Sequence, residues 1–259
     1  MIKVERAPKP EKLTDELQSQ LTEEFKKDKT KPVWNKAFIK KALLEESNNK
    51  CVYCECMIGK GYKEMHVDHF HYKDKYEDEV LMWDNLNPSC PQCNKNKSTH
   101  DTYKEPIVNP FNDDPKEFFY LKNYRYYSKN DSVMPIVQKT IDVLGLNDTD
   151  KIVKFRFEIG DALSNKIKEI YDNANNNKTQ LTTDIGEKNK VLRGCRNILS
   201  KGTKTAPFSA FMATIIKNDE YYAKTKELLK ELDLWDEELD VLDKEVDLLK
   251  MATDRDKTA

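Results

Sequence analysis

The sequence has no excess of either charge: 44 basic residues against 46 acidic leave a net −2. That excludes a chain drawn to nucleic acid by its overall field, so any such contact must come from a local patch or a partner. No apolar run approaches the roughly 20 residues needed to cross a bilayer. The opening Met1-Ile2-Lys3-Val4-Glu5-Arg6 lacks the apolar core of a signal peptide. The expected location is therefore the cytoplasm, with no membrane contact. No internal repeat is visible. Apolar residues, at 38%, fall below the globular average, while charged residues, at 35%, exceed it. That balance fits helices with broad solvated faces. The length allows one large domain or two small ones. Cysteine and histidine are scarce, yet five of the six cysteines and all four histidines lie between Cys51 and His100.

What is present divides the chain into three segments: an arm and helices over residues 1–50, a metal-rich module over 51–104, and a helical region over 105–259. Pro8 and Pro10 mark an irregular arm. Leu13, Leu17, Leu21 and Phe25 recur every four residues and predict a first helix. Pro32 interrupts it. Trp34, Phe38, Ile39, Leu43 and Leu44 predict a second, ending near Ser47-Asn48-Asn49. Beyond the module, Pro106, Pro110 and Pro115 mark a loop. The aromatic-rich Phe118 to Tyr127 could hold a strand pair. From about residue 135 the pattern turns helical. Ile152, Phe155, Ile159, Leu163, Ile167 and Ile170 share one face, with Asp148 or Thr149 as N-cap. Asn173 to Thr179 reads as a polar loop. Val191, Cys195, Ile198 and Leu199 predict a further helix closed by Gly202, and Pro207 opens the next.

A last helix is expected from about Glu220 to Met251. Leu228, Leu232, Trp235, Leu239, Leu242, Val246 and Leu249 form a stripe of period 3.5 along it. The stripe fits either the chain's own core or a docking partner. Residues 220–259 carry 7 basic against 13 acidic residues, which makes them a poor phosphate-binding surface. The strongest basic cluster is Lys188, Lys190, Arg193, Arg196, Lys201 and Lys204. It reads as a solvated helix face or as a phosphate-contacting patch.

The module carries the chemistry. Cys51 and Cys54 form one C-x-x-C, and Cys90 and Cys93 another. Two residues between thiols let both sulfurs reach one corner of a tetrahedron, and two such corners make a closed structural zinc site. Cys56 reads as a spectator beside Cys54, and Cys195 as a buried apolar residue. Between the pairs, Val67-Asp68-His69-Phe70 reads as the end of a short strand. A carboxylate there can hold a hard cation such as Mg²⁺, and a neutral imidazole can take a proton from water. Asn85 follows in Trp83-Asp84-Asn85-Leu86. Asn94 follows the second C-x-x-C directly, with Lys97 one turn on. Lys97 is expected either to meet a phosphate or to be solvated. His66 and His71 are expected to flank the site, and His100 has no assigned role.

Asp-His, then Asn-Leu, then Cys-x-x-Cys-Asn-x-x-Lys resembles the HNH family of nucleases. The resemblance implies a ββα-metal module, so the expected fold is mainly α, with this small zinc-bound module between the N-terminal helices and the C-terminal helical region. It implies that His69 is the general base, that Asp68 and Asn94 hold the catalytic ion, and that Asn85 braces the loop orienting His69. An amide oxygen at Asn94 is a harder ligand than imidazole, which favours Mg²⁺ or Mn²⁺ there. The lead-in from Trp34 through Lys50-Cys51-Val52-Tyr53-Cys54-Glu55 resembles the HNH subunit of Septu-type anti-phage systems, also found with some retrons. So do Asn109-Pro110-Phe111 and the run from Lys139 to Asn147. That resemblance implies a partner ATPase of the ABC type, and a nucleic-acid substrate with DNA favoured over RNA. Two competing readings are a non-catalytic zinc module that binds nucleic acid and a structural adaptor. The first explains the cysteines but not Asp68, His69, Asn85 and Asn94 at this spacing; the second rests on the long C-terminal helix.

Overall fold

Helix α1 (Asp15–Lys27) starts where the sequence offers a cap: the Thr14 hydroxyl accepts from the Leu17 amide, with Asp15 and Glu16 in the first turn. Its apolar side buries Leu21 and Phe25. Helix α2 (Ala37–Glu46) buries Ile39 and Leu43 and ends at Ser47. Asn48 and Asn49 then take left-handed backbone, a conformation asparagine tolerates well. This sharp exit delivers the chain to Cys51. A computed structural model describes residues 1–59 and 61–256 of the chain, which is mainly helical.

The described residues form two compact units. The first comprises Met1–Phe119, Tyr127–Asn147 and Asp256; the second comprises Tyr120–Tyr126 and Asp148–Arg255. The N-terminal helices therefore cluster with the cysteine-rich module. In that module β1 (His66–His69) pairs antiparallel with β2 (Leu86–Ser89), in a register that sets Asp68 opposite Asn87 and His69 opposite Leu86. Helix α3 (Pro91–Lys97) follows at once. Pro91 occupies its first turn, and the Cys90 sulfur accepts from the Cys93 amide as its cap. Helix α4 (Pro115–Phe118) is a single turn capped by Asp114. Strands β3 (Phe119–Lys122) and β4 (Arg125–Ser128) form the expected hairpin, with Asn123 and Tyr124 both at positive φ in its turn.

Helix α5 (Met134–Leu144) locks α3 in place. The Asn96 amide donates to the Leu144 carbonyl at 2.9 Å. Gly145 ends α5 with φ +65°, and a Cβ there would sit 2.5 Å from Asn96 Nδ2. Only glycine permits both the left-handed turn and this approach.

The second unit is a helical layer: α6 (Lys154–Asn176), α7 (Gln180–Thr183), α8 (Ile185–Ser200), α9 (Ser209–Asn218), α10 (Glu220–Glu231) and α11 (Glu237–Leu249). Asp148 caps the turn leading into α6, as the sequence predicts. Along α6, Leu163, Ile167, Ile170 and Ala174 are buried, but Phe155 is 40% exposed. Two expectations change here. Helix α6 runs on to Asn176 through the start of the predicted polar loop, with Ala174 supplying one more buried contact. The predicted last helix is two. Asp233 adopts left-handed backbone, and the Asp236 side chain accepts from the Leu239 amide to start α11 afresh. The stripe nonetheless stays together: Leu228, Leu239 and Val246 are buried in the unit's core, and Leu232, Trp235, Leu242 and Leu249 pack against it. It is a core element rather than a docking seam.

Candidate active site

Four sulfurs, from Cys51, Cys54, Cys90 and Cys93, converge within 4.8 Å of one another, all buried. Cys54 Sγ and Cys90 Sγ are 3.8 Å apart. Zinc–sulfur bonds of about 2.3 Å in a tetrahedron give a sulfur–sulfur edge of about 3.8 Å, so the donor set fits zinc. Burial pushes the Cys51 thiol up, whereas a hydrogen bond from Cys51 holds Cys54 down. Sulfurs this close share protons unless a cation takes their place. Cys56 is buried beside them, its carbonyl accepting from the Cys51 amide at 2.9 Å, and its sulfur stands outside the four. Cys195 lies in the second unit's core, its thiol pushed up to about 12 by burial.

The Val52 amide donates to the Pro88 carbonyl, which ties the first cysteine pair to β2. The cluster thereby fixes the strands and α3 together. A cavity of about 400 Å³ opens beside it, and Asp68, His69 and Asn94 all line its wall. Side chains at successive strand positions point to opposite faces. Both Asp68 and His69 reach the cavity because β1 ends at His69.

His69 is buried, and its Nε2–H donates to the Val80 carbonyl at 3.0 Å. That bond fixes the tautomer and leaves Nδ1 as the basic nitrogen. Burial holds its pKa down at about 4, so the ring is neutral at physiological pH. The Trp34 ring packs edge-on against it, centroids 4.7 Å apart. Asn85 is buried and pins the intervening loop. Its Oδ1 accepts from the His71 amide at 2.6 Å, and its Nδ2 donates to the carbonyls of His71 and Glu79. Glu79 adjoins Val80, whose carbonyl holds His69.

Asn94 Nδ2 lies 3.3 Å from His66 Nδ1, so His66 reaches the cavity too. His71 stacks on Tyr103 at 3.8 Å and bonds Thr102 instead. His100 bonds the Glu105 carbonyl.

Lys97 departs from both expectations. It is 1% exposed, neither solvated nor free for phosphate. Its ammonium donates to Asp68 Oδ1 at 3.1 Å and to the His69 carbonyl at 2.6 Å. The other Asp68 oxygen accepts from the buried Tyr53 hydroxyl at 2.5 Å. Sequence reasoning missed Tyr53 and Trp34. Both stand in the lead-in, and nothing in local spacing marks them as neighbours of the Asp-His pair. Lys73, which lines the cavity with its ammonium 5.3 Å over the Trp34 ring, also gave no signal. In the basic cluster on α8, Arg196 is paired with Asp236 and Glu238 of the same unit.

The family profile for HNH endonucleases matches residues 51–100, the cysteine pairs and everything between them. Over 235 residues the chain is 37% identical to the Septu protein PtuB of Bacillus thuringiensis, covering 91% of this chain and 89% of that protein. No solved structure matches the chain. Among the described residues, no helix is long and apolar enough to cross a membrane.

Proposed function

On the premise that this chain belongs to the family of Septu protein PtuB and carries an HNH endonuclease domain at residues 51–100, we propose that it is a metal-dependent nuclease hydrolysing phosphodiester bonds in anti-phage defence. The observation that carries this reading is the convergence of Asp68, His69 and Asn94 on one cavity, with the basic nitrogen of His69 fixed by tautomer.

The roles are those the family resemblance implies, and the geometry supports them. His69 accepts a proton at Nδ1 from the attacking water; its Nε2–H stays committed to the Val80 carbonyl. Asn85 keeps that carbonyl in place through the loop it pins. Trp34 covers one edge of the ring and limits its rotation. Asp68 and Asn94 would hold Mg²⁺ or Mn²⁺, the Asn94 oxygen being free for this when its amide nitrogen faces His66. Such an ion, when bound, supplies neutralisation of the phosphate and the leaving 3′ oxygen. Zinc on the four cysteines is structural, since all four are buried and none lines the cavity. The working partner is an ABC-type ATPase of the PtuA kind, the substrate is DNA ahead of RNA, and the setting is the cytoplasm.

The test is cleavage of DNA and RNA by the purified chain, with and without its ATPase, in Mg²⁺ or Mn²⁺. Metal-dependent cleavage that disappears in His69→Ala is expected. No cleavage of any nucleic acid in the presence of the ATPase, or cleavage indifferent to His69→Ala, overturns the proposal.

A further inference from the structure

Asp68 is the one buried carboxylate on the cavity wall among the described residues, and both of its oxygens already have partners. Tyr53, itself buried and steadied by Asn87 Nδ2 at 3.2 Å, donates to one. The Lys97 ammonium donates to the other. Lys97 also bonds the backbone carbonyl of His69, the next residue. One buried cation, carried by α3, therefore touches both halves of the Asp-His pair. A lysine buried this completely is rare, and here its charge is matched by Asp68.

This has an electrostatic consequence. A divalent ion is drawn to a site by negative charge, and the charge of Asp68 is already cancelled. Asn94 offers only a neutral oxygen. A single positive charge within about 5 Å of a dication costs roughly tenfold or more in affinity even in water-like surroundings.

We propose that Lys97 is a positioning residue of the HNH site: it fixes Asp68 and the His69 backbone, and by neutralising Asp68 it makes tight binding of the catalytic ion depend on a phosphate group arriving with it. The inference rests on the nuclease reading for the identity of the ion, but its test reads metal affinity, not cleavage.

The experiment titrates Mn²⁺ against the full chain and follows free Mn²⁺ by electron paramagnetic resonance, with zinc content and circular dichroism as folding controls. Wild type is expected to bind Mn²⁺ weakly, and Asp68→Asn to bind none at this site. Lys97→Met is expected to bind about tenfold more tightly than wild type. Its metal-free melting temperature should fall, and Mn²⁺ should raise it more than it raises that of wild type. At saturating Mn²⁺, Lys97→Met should still cleave more slowly, because Asp68 and His69 are no longer held. Unchanged or weaker Mn²⁺ binding in a folded Lys97→Met overturns the charge role, and wild-type cleavage by it overturns the positioning role. Should that variant lose its zinc, wild type alone decides. Its Mn²⁺ affinity should rise about tenfold with millimolar deoxythymidine 3′,5′-bisphosphate, and no rise overturns the proposal. If no protein cleaves anything, the nuclease reading fails while the Mn²⁺ comparison still stands or falls on its own.

Discussion

His69 depends on residues that never touch the cavity. Its tautomer rests on the Val80 carbonyl, and that carbonyl rests on Asn85, which ties down Glu79 and His71. Two substitutions separate the roles. His69→Ala should lower cleavage by about 10²–10⁴, the usual worth of a general base, with zinc content and helicity unchanged. Asn85→Ala should lower cleavage too, but it should also destabilise the module by about 1–3 kcal/mol, because backbone groups it satisfied lose a buried partner. Rates alongside thermal melts distinguish the two; an Asn85→Ala protein as stable as wild type would count against the bracing role. That Asp68, His69 and Asn94 share one cavity was legible in the sequence through the family resemblance their spacing carries, while Asn85 holds the loop behind it. Lys97, Tyr53 and Trp34 were not legible. A lysine in a short polar helix ordinarily faces water, and only the tertiary position of Asp68 makes its burial affordable. Tyr53 reaches Asp68 from the turn between the first two cysteines, a contact no periodicity encodes.

At the level of elements, the four-cysteine cluster, whose donor set fits zinc, adds to a small apolar core that includes Tyr53, Ile58, Leu81 and Leu86. Strands β1 and β2 have four residues each and α3 has seven, too short to persist alone. Structural zinc contributes about 10–16 kcal/mol in small finger peptides. Cys90→Ser should therefore release zinc, measured by elemental analysis, and abolish the module's native packing. A folded, zinc-loaded Cys90→Ser protein would exclude Cys90 as a ligand. In the second unit the 3.5-residue stripe was legible, but the break within it was not. The stripe's spacing continues through Leu232 and Trp235, while the backbone turns at Asp233. Burial separates the stripe from the leucine beside it. Leu239→Ala, at a fully buried site, should cost about 2–5 kcal/mol, whereas Leu248→Ala, 69% exposed, should lie within about 0.5 kcal/mol of wild type in denaturant melts.

Asp243 joins three helices of that unit. Its carboxylate accepts from Lys217 at 2.8 Å and Lys226 at 2.6 Å, and from the Tyr222 hydroxyl. Burial pushes its pKa up, but the two ammonium groups more than reverse this and hold it at about 2. A carboxyl with a depressed folded pKa contributes stability that is complete above its unfolded value of 3.8 and is lost as pH falls toward about 2. The contribution is about 2 kcal/mol. Between pH 4 and 2 the wild type should therefore lose stability more steeply than Asp243→Asn, which is weaker at neutral pH but lacks this titration. Equal acid slopes for the two proteins would show that Asp243 is not the responsible group.

For the molecule as a whole, the balance of charge limits what it can do alone. The net charge is −2, and residues 220–259 are themselves six charges negative, 7 basic against 13 acidic. Much of this charge is consumed internally: Glu238 pairs with Arg196, Asp240 with Lys244, and Asp243 with Lys217 and Lys226. Among the described residues, the lysines on the wall of the candidate site's cavity are Lys40 and Lys73, and Lys73 already donates to Asp74. A cavity wall with so few free cations displaces few counterions from a nucleic acid, and counterion release supplies most non-specific affinity. The purified chain should thus bind a short DNA duplex no more tightly than about 10⁻⁶ M at physiological salt, with a slope of log affinity against log salt no steeper than about −3. Fluorescence anisotropy over a salt series measures both. The proposed ATPase partner, if it supplies the missing basic surface, should steepen that slope as well as raise the affinity. A steep slope for the chain alone would reveal a phosphate-binding face that its charge pairing does not display, with the remaining lysines of α8 the first to test.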